Sequence, residues 1–440
     1  MCAMVEFFFN SIVDKLFNHK KLDNKTIEKS PREKSWTKRA VKVVNLVNNA
    51  IPIEVEFKNW ELYEELILSA TAICEKLSKS EFDIETEDAA QLLHKTAYYL
   101  YEKGKYDQSE SFYKKSLAIR EKILDKYHID ITASLNNLAI LYKEQAKYKK
   151  AELIHRRNLK INKKIFGKNH YIVACDLNSL AIIYLNLGNY HKAEIFCLQS
   201  LYILEKYKNY LTATTLNSLA EIYHYQCREG EAEILFRKSL EILEAESSKD
   251  YSKISAIINN LCCTLIAQEK YDEAELLLEE NFNIVENFLE KDHPYFSKIL
   301  NTSAHIYCNL GKYEQAFVLY QKCLDIFENS LGKDHPEIAS IFNNIAYVYK
   351  KQAKHSEAEY LYQKSLDIFQ KSLGINNPET ALTLHNLAVL YDEQGKYTEA
   401  EYLYSKSLKI RENFLGKTHP FTKLTRDHLQ QLQANIRAEK

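Results

Sequence analysis

The stretch LNNLAILYKEQAKYKKAEL, residues 135–153, decides the reading of this chain, because close copies of it return along most of the sequence. Its last part recurs as GKYDQSE, AKYKKAE, GNYHKAE, REGEAE, KYDEAE, GKYEQAF, AKHSEAE and GKYTEA. Anchored on one column, the copies fall at Tyr106, Tyr148, Tyr190, Glu229, Tyr271, Tyr313, His355 and Tyr397, at steps of 42 residues with a single step of 39. A second column, Ala97, Ala139, Ala181, Ala220, Cys262, Ala304, Ala346 and Ala388, keeps the same steps. Two columns that agree even on the short step establish a tandem repeat.

Within a unit the apolar spacing is helical. Leu135, Leu138, Ala139 and Tyr142 stand at i, i+3, i+4 and i+7, and Tyr148, Ala151 and Leu159 begin a second stripe. The punctuation repeats as well. Pro294, Pro336, Pro378 and Pro420 are 42 apart, where a missing N–H suits the first turn of a helix. All nine glycines are expected between helices: Gly104, Gly188, Gly230, Gly311 and Gly395 in a short turn, and Gly167, Gly332, Gly374 and Gly416 in a longer loop. The short step belongs to the loop after Leu204, which has neither Gly nor Pro. Each unit therefore reads as helix, turn, helix, loop. Small residues at Ala151, Ala193, Ala232, Ala274, Ala316, Ala358 and Ala400 allow close helix approach, and Tyr113, Phe236, Tyr320, Tyr362 and Tyr404 fill the space between neighbours. One helix pair cannot bury both stripes, whereas eight stacked pairs bury them in a continuous core.

These columns resemble the tetratricopeptide repeat, and the 42-residue form LNNLAxLYxxQGKYxEAExLYxKSLxIxExxLGxDHP is similar to the kinesin-light-chain type. The resemblance runs from about residue 86 to 420. It implies an all-α fold: a right-handed α-solenoid of about eight tetratricopeptide hairpins with N-terminal helices, a C-terminal capping helix and a concave groove. The expected divisions are a basic, partly ordered leader over 1–49, an N-terminal helical cap over 50–82, the array over 83–420 and a capping helix over 421–440. Residues 35–105, through Trp36, Arg39, Ala40, Phe57, Trp60 and Leu66 to Ala70, resemble the segment that precedes the repeats in bacterial NB-ARC (STAND) signalling NTPases. No phosphate-cradling G-x-x-x-x-G-K-[ST] loop is present, so that resemblance implies a sensor half without its motor.

Composition agrees with a helical array. Only 9 Gly and 6 Pro in 440 residues leave room for long helices and argue against a loop-rich sandwich or barrel. With 59 Lys and Arg against 60 Asp and Glu, the net charge of -1 supplies no basic field for nucleic acid. The leader has ten cations against five acids, without interleaved aromatics, and reads as a solvated segment; Phe7, Phe8 and Phe9 with Ile12, Val13 and Leu16 suggest a short amphipathic turn. No apolar run approaches the ~18 residues of a membrane span. Val5–Phe9 is too short for a signal-peptide core. Nine scattered cysteines read as buried, reduced residues, and the expected location is the cytoplasm.

For chemistry the sequence offers little. Short catalytic motifs such as H-E-x-x-H and C-x-x-C are missing, His293, His335 and His419 precede Pro and read as caps, and the repeated Glu beside the Ala column reads as solvated or salt-bridged. No catalytic residue, metal or cofactor is expected. The better candidate is a ladder of asparagines: Asn136, Asn178, Asn217, Asn259, Asn301 and Asn343, completed by His94 and His385, with Asn137, Asn260, Asn344 and Asn386 one residue further on. Asn is a poor residue for helix interiors, so its recurrence there calls for a reason. Its carboxamide matches the N–H and C=O of an extended peptide. The same group can equally tie one repeat to the next. The tetratricopeptide resemblance adds weight to the first role, because groove asparagines of that family hold peptide backbone. Lys143, Lys298 and Lys350 stand at neighbouring groove positions with Tyr98, Tyr347 and His305, while Glu144, Glu221 and Glu393 dilute the basic character. The expected function is a non-enzymatic scaffold for a peptide or protein partner, with the NB-ARC sensor half as the other reading.

Overall fold

A computed structural model of the protein describes residues 31–51, 60–78, 85–205, 207, 210–246, 250–288 and 294–438. Among the described residues there are nineteen helices and no strand. Helices α1 (Pro31–Ala50) and α2 (Trp60–Ser78) come first. Hairpins one to four are α3 (Glu87–Glu102) with α4 (Tyr106–Ile123), α5 (Ile129–Glu144) with α6 (Tyr148–Ile165), α7 (Tyr171–Asn186) with α8 (Tyr190–Leu204), and α9 (Tyr210–Tyr225) with α10 (Glu229–Glu244). Hairpins five to eight are α11 (Tyr251–Ala267) with α12 (Tyr271–Phe288), α13 (Pro294–Asn309) with α14 (Tyr313–Leu331), α15 (Pro336–Lys351) with α16 (His355–Ser372), and α17 (Pro378–Glu393) with α18 (Tyr397–Phe414). Helix α19 (Pro420–Ala438) follows them. The fold is thus an all-helical solenoid of stacked hairpins. The expected leader turn at Phe7 to Leu16, Cys2, Phe57 and His293 lie outside the described residues, as do the side chains of Trp36, Arg39, Ala40 and Trp60. Helix α1 reaches across the expected division at residue 49.

The repeat punctuation sets the helix ends. Every member of the Tyr106 column opens a second helix, and the four repeated prolines open α13, α15, α17 and α19. His335 and His419 do cap helices: their Nδ1 atoms accept from the N–H groups of Glu337 and Phe421, both at 3.2 Å. The short turn needs one left-handed residue, which is Gly188 (φ 67°) or Gly395 (φ 73°) in some hairpins and Ala146, Cys227, Glu269 or Ala353 in others. This corrects the sequence reading at one point. Gly230 lies in the first turn of α10, and Cys227 takes the left-handed position instead.

Inside each hairpin the small-residue column is sealed, with Ala193, Ala232, Ala316 and Ala400 fully buried. A polar ladder accompanies it. Ser116, Ser200, Ser239, Ser365 and Ser407 each donate, at 2.6–2.8 Å, to the backbone carbonyl 26 residues earlier on the first helix of the same hairpin. Asn281 and Cys323 take the serine's place in hairpins five and six, reaching Ser255 O and Ser297 O. Each such bond contributes about 1 kcal/mol, and together they fix the axial register of the two helices.

The chain forms two compact units, Met1–Leu141 and Tyr142–Lys440. The periodicity alone gives no sign of this division, which falls within α5. In the first unit, Lys95 takes the position that Asn137 holds one repeat later. Its buried ammonium donates to Asn48 O (2.8 Å) and Ile51 O (2.6 Å), closing the C-terminal end of α1. Asn48 Nδ2 in turn donates to Asp88 and Gln91. In the second unit the coil returns on itself. Asn377, the cap of α17, donates from Nδ2 to Gln145 O in the turn of hairpin two (3.1 Å). Gly188, in the turn of hairpin three, lies against His419 and Pro420 at the start of α19. Both contacts join elements six hairpins apart, so about six hairpins complete one turn. The last helix buries Leu432 against Ala388, Ala400 and Tyr404, and Gln433 donates to Glu401.

Candidate functional site

The asparagine columns stand on the first helices and meet across hairpin junctions. Asn344 Nδ2 donates to Asn301 Oδ1 (3.0 Å), and Asn386 Nδ2 to Asn343 Oδ1 (3.1 Å). Asn260 Nδ2 donates to Asn217 Oδ1 (3.2 Å) and to Glu221 Oε1 (2.9 Å). In the first unit Asn137 Nδ2 lies 3.0 Å from His94 Nε2. Each pair is 43 residues apart, joining the second column of one repeat to the first column of the repeat before it. Of the two roles the residue type allows, inter-repeat bonding is the one visible here.

Burial varies along the first column and is uniform along the second. Asn137, Asn260, Asn344 and Asn386 are all half-buried, and so are Asn136, Asn217 and Asn301, whereas Asn178, Asn259 and Asn343 are buried. Asn259 is a core hub: its Oδ1 accepts from Asn281 (2.9 Å) and Ser303 (3.3 Å), and its Nδ2 reaches Ile299 O (3.4 Å). Asn178 Oδ1 accepts from the thiol of Cys197. Among the described residues, Asn344 and Asn386 each have one acceptor for two N–H groups, so a donor remains on the half-buried side.

Two of the cations expected beside these columns are already engaged. Lys143 pairs with Glu144 (2.9 Å). Lys350 pairs with Glu393 (3.0 Å) and lies over the Tyr347 ring. The side chain of Lys298 lies outside the described residues. Among the described residues Glu221 has no cation in contact: Asn217 and Asn260 donate to it at 2.6 and 2.9 Å, and burial pushes its carboxyl up to about 7 against the weaker pull of those bonds and of the Lys143 charge. Lys143 and Glu221 stand on first helices two hairpins apart, both within the second unit.

The repeated glutamates bind hairpin to hairpin. Glu152 accepts from Tyr184 Oη and Arg156, Glu194 from Gln226 and Arg228, Glu233 from Gln268 and Lys270, Glu275 from Lys312, and Glu359 from Tyr391. Each partner beyond the glutamate's own helix comes from the next hairpin, which gives this column a structural task. Sequence reading also passed over Asp176, buried between the Nδ2 groups of Asn158 (2.9 Å) and Asn162 (2.7 Å), whose carboxyl burial raises to about 6. The available signal was Asn158 standing where other repeats have Ser.

Among the described residues no group of three potential ligands is arranged to hold a metal ion, no helix is long and apolar enough to cross a membrane, and eight cysteines are free thiols. The tetratricopeptide-repeat family model matches residues 88–164, 171–245, 295–371 and 337–413, and a second model of the same repeat matches 255–295. The matches take in more than half of the sequence, and the chain belongs to the tetratricopeptide-repeat family. Such a fold implies protein partners. No curated protein matches the sequence. Among solved structures, a Rap protein complexed with competence and sporulation factor is 12% identical, with 84% of this chain and 98% of that one covered and a TM-score of 0.52. BtubC (BKLC) from P. vanneervenii is 22% identical, covering 52% of this chain and 91% of its own, with a TM-score of 0.41. A putative kinesin light chain of Podosopora anserina with nearly identical repeats is 21% identical, covering 46% and 97%, at a TM-score of 0.38. At these identities the likeness is one of fold.

Proposed function

We propose that the protein is a non-enzymatic, cytoplasmic scaffold that holds a peptide segment or partner protein against the first-helix faces of its second unit. The observation that carries this reading is the row of half-buried amides on the first helices, in which Asn344 and Asn386 each keep an N–H to offer. The remaining N–H groups of Asn344 and Asn386 suit the carbonyls of an extended chain, while Tyr347 and Val389, both half-buried, present apolar surface beside them. The proposed contact residues in this unit are Asn178, Asn217, Asn259, Asn260, Asn301, Asn343, Asn344 and Asn386 with Lys143, Lys298 and Lys350; the exposed edges of the columns contact the segment and the buried members position them. Lys143 and Lys350 hold acidic side chains of the ligand only by exchanging Glu144 and Glu393.

The test is site-specific photo-crosslinking in the full chain. A photoreactive residue at Tyr347 or Val389 is expected to trap a partner, identified by mass spectrometry, and one at the outward Leu276 is not. Asn344→Leu with Asn386→Leu is expected to reduce trapping at least tenfold while helicity is kept. Trapping from Leu276 alone, or trapping unaffected by the double substitution, refutes the reading.

A further inference from the structure

The second helices present an unexpected column to solvent: Leu153, Ile195, Ile234, Leu276, Val318, Tyr360 and Tyr402 are all exposed. An apolar column repeated on the outer side of seven hairpins is not needed by the core, which is already closed beneath it. At one place it borders a trough. Lys163, Lys168, Val173, Leu177, Ile195, Leu198 and Tyr202 are among the residues around a hollow of about 470 Å³, which falls in the size range of small binding clefts. Tyr202 is 77% and Leu198 47% exposed.

The wall of this trough is charged in one sense. Helix α6 has seven cations and one carboxylate, Glu152, which is already held by Arg156 and Tyr184. Lys160, Lys163 and Lys164 stand one turn apart on its exposed side, and Lys168 follows in the loop. Among the described residues none of Lys160, Lys164 and Lys168 pairs with a carboxylate; the nearby acid, Asp176, is buried beneath and taken up by Asn158 and Asn162. The comparable hollow beside Tyr360, about 450 Å³, has Glu357 in its lining and no lysine.

We propose that the trough of hairpins two and three docks an acidic amphipathic segment of a partner protein. Its apolar side chains sit among Ile195, Leu198 and Tyr202, and its carboxylates face Lys160, Lys163, Lys164 and Lys168. Charge complementarity selects this occupant: the lining is largely apolar, Lys163 and Lys168 border it with Lys160 and Lys164 on the adjoining helix surface, and among the described residues Lys160, Lys164 and Lys168 pair with no carboxylate. A nucleic-acid backbone would satisfy the wall and leave the floor exposed. A flat anionic membrane would not fill a hollow. The site is formed by α6, the loop after it, α7 and α8, and it shares no residue with the asparagine columns.

Fluorescence anisotropy of the full-length chain with a labelled 18-residue peptide tests it, the peptide bearing Leu at i, i+3, i+4, i+7 and onward and Glu elsewhere. The expected result is saturable binding that weakens with salt. The triple variant Lys160→Glu, Lys163→Glu, Lys164→Glu and, separately, Leu198→Ser with Tyr202→Ser should each raise the Kd at least tenfold; Tyr360→Ser should leave it within twofold. All these side chains are at the surface, and circular dichroism melting checks that the fold is kept. No binding by the parent chain overturns the proposal, as does equal binding of a shuffled peptide of the same composition. A Kd unchanged in both variants, or stronger binding of a DNA duplex or of anionic vesicles than of the peptide, overturns it too.

Discussion

Gly188 meets two demands in one residue, and they can be separated by experiment. It holds the left-handed conformation of a hairpin turn, at φ 67°, and a Cβ built on it would stand 2.6 Å from His419 Cδ2 and 3.2 Å from Pro420 Cδ. Gly395 holds the same turn position at φ 73°, with nothing within 4 Å of such a Cβ. Alanine at Gly395 therefore meets only the left-handed penalty, about 1 kcal/mol, and Ala146 and Ala353 already occupy that conformation in sister turns. Alanine at Gly188 adds a collision with a buried imidazole that caps α19. Overpacking of this kind costs about 1–3 kcal/mol. The strain is relieved if the turn and the start of α19 move apart, which would open the six-hairpin contact.

Global melting is a poor assay, because a stacked array need not unfold in two states. Hydrogen exchange followed by mass spectrometry reads the contact locally. The amides of Thr422 and Lys423 both donate to His419 O at 3.0 Å and report on the first turn of α19. A loss of about 1–3 kcal/mol there corresponds to roughly 5- to 150-fold faster exchange in Gly188→Ala than in Gly395→Ala. Equal exchange in the two variants would show that hairpin three and α19 do not touch, and the closed turn of the second unit would be lost with that contact.

Asn377→Asp tests the companion contact: it keeps the cap for Glu379 N but loses the donor to Gln145 O, and faster exchange is expected around Ala146 and Lys147 with α17 still protected. Glu221→Gln addresses pH. The folded carboxyl titrates near 7 against an ordinary 4.5, so the folded state keeps a proton that the unfolded state has released, and stability falls as pH rises through that window. The glutamine variant should gain on the parent between pH 5 and 8 by on the order of 2 kcal/mol, and a gap independent of pH in chemical denaturation contradicts it. Asn281→Leu removes the side-chain donor to Ser255 O and the shorter of the two donors to Asn259 Oδ1, which keeps Ser303, and should cost about 1–3 kcal/mol, against about 1 kcal/mol for Ser365→Ala, read from the shift in the hairpin-five and hairpin-seven transitions.

What could be read from the sequence follows the range over which each feature is decided. Helix starts at the Tyr106 column and at the four repeated prolines depend on a few neighbouring residues and were legible; so were the caps at His335 and His419. Gly230 was misplaced because a Gly two residues from a turn resembles a turn glycine, and only backbone geometry shows Cys227 in the left-handed seat. The asparagine columns were found, but their bonds join residues 43 apart and depend on the offset of stacked hairpins, which composition does not encode. The same holds for Lys95, which the sequence reading passed over and whose ammonium closes α1. The contact between Asn377 and Gln145 is further out of reach. It arises from the summed rotation of six hairpins, so an error of a few degrees in each would carry the two residues past one another. A periodic sequence therefore specifies its local unit strongly and its long-range closure only through deviations from the period, such as the 39-residue step, Asn377 and Gly188, and it is at those deviations that substitutions should alter shape while leaving helix content unchanged.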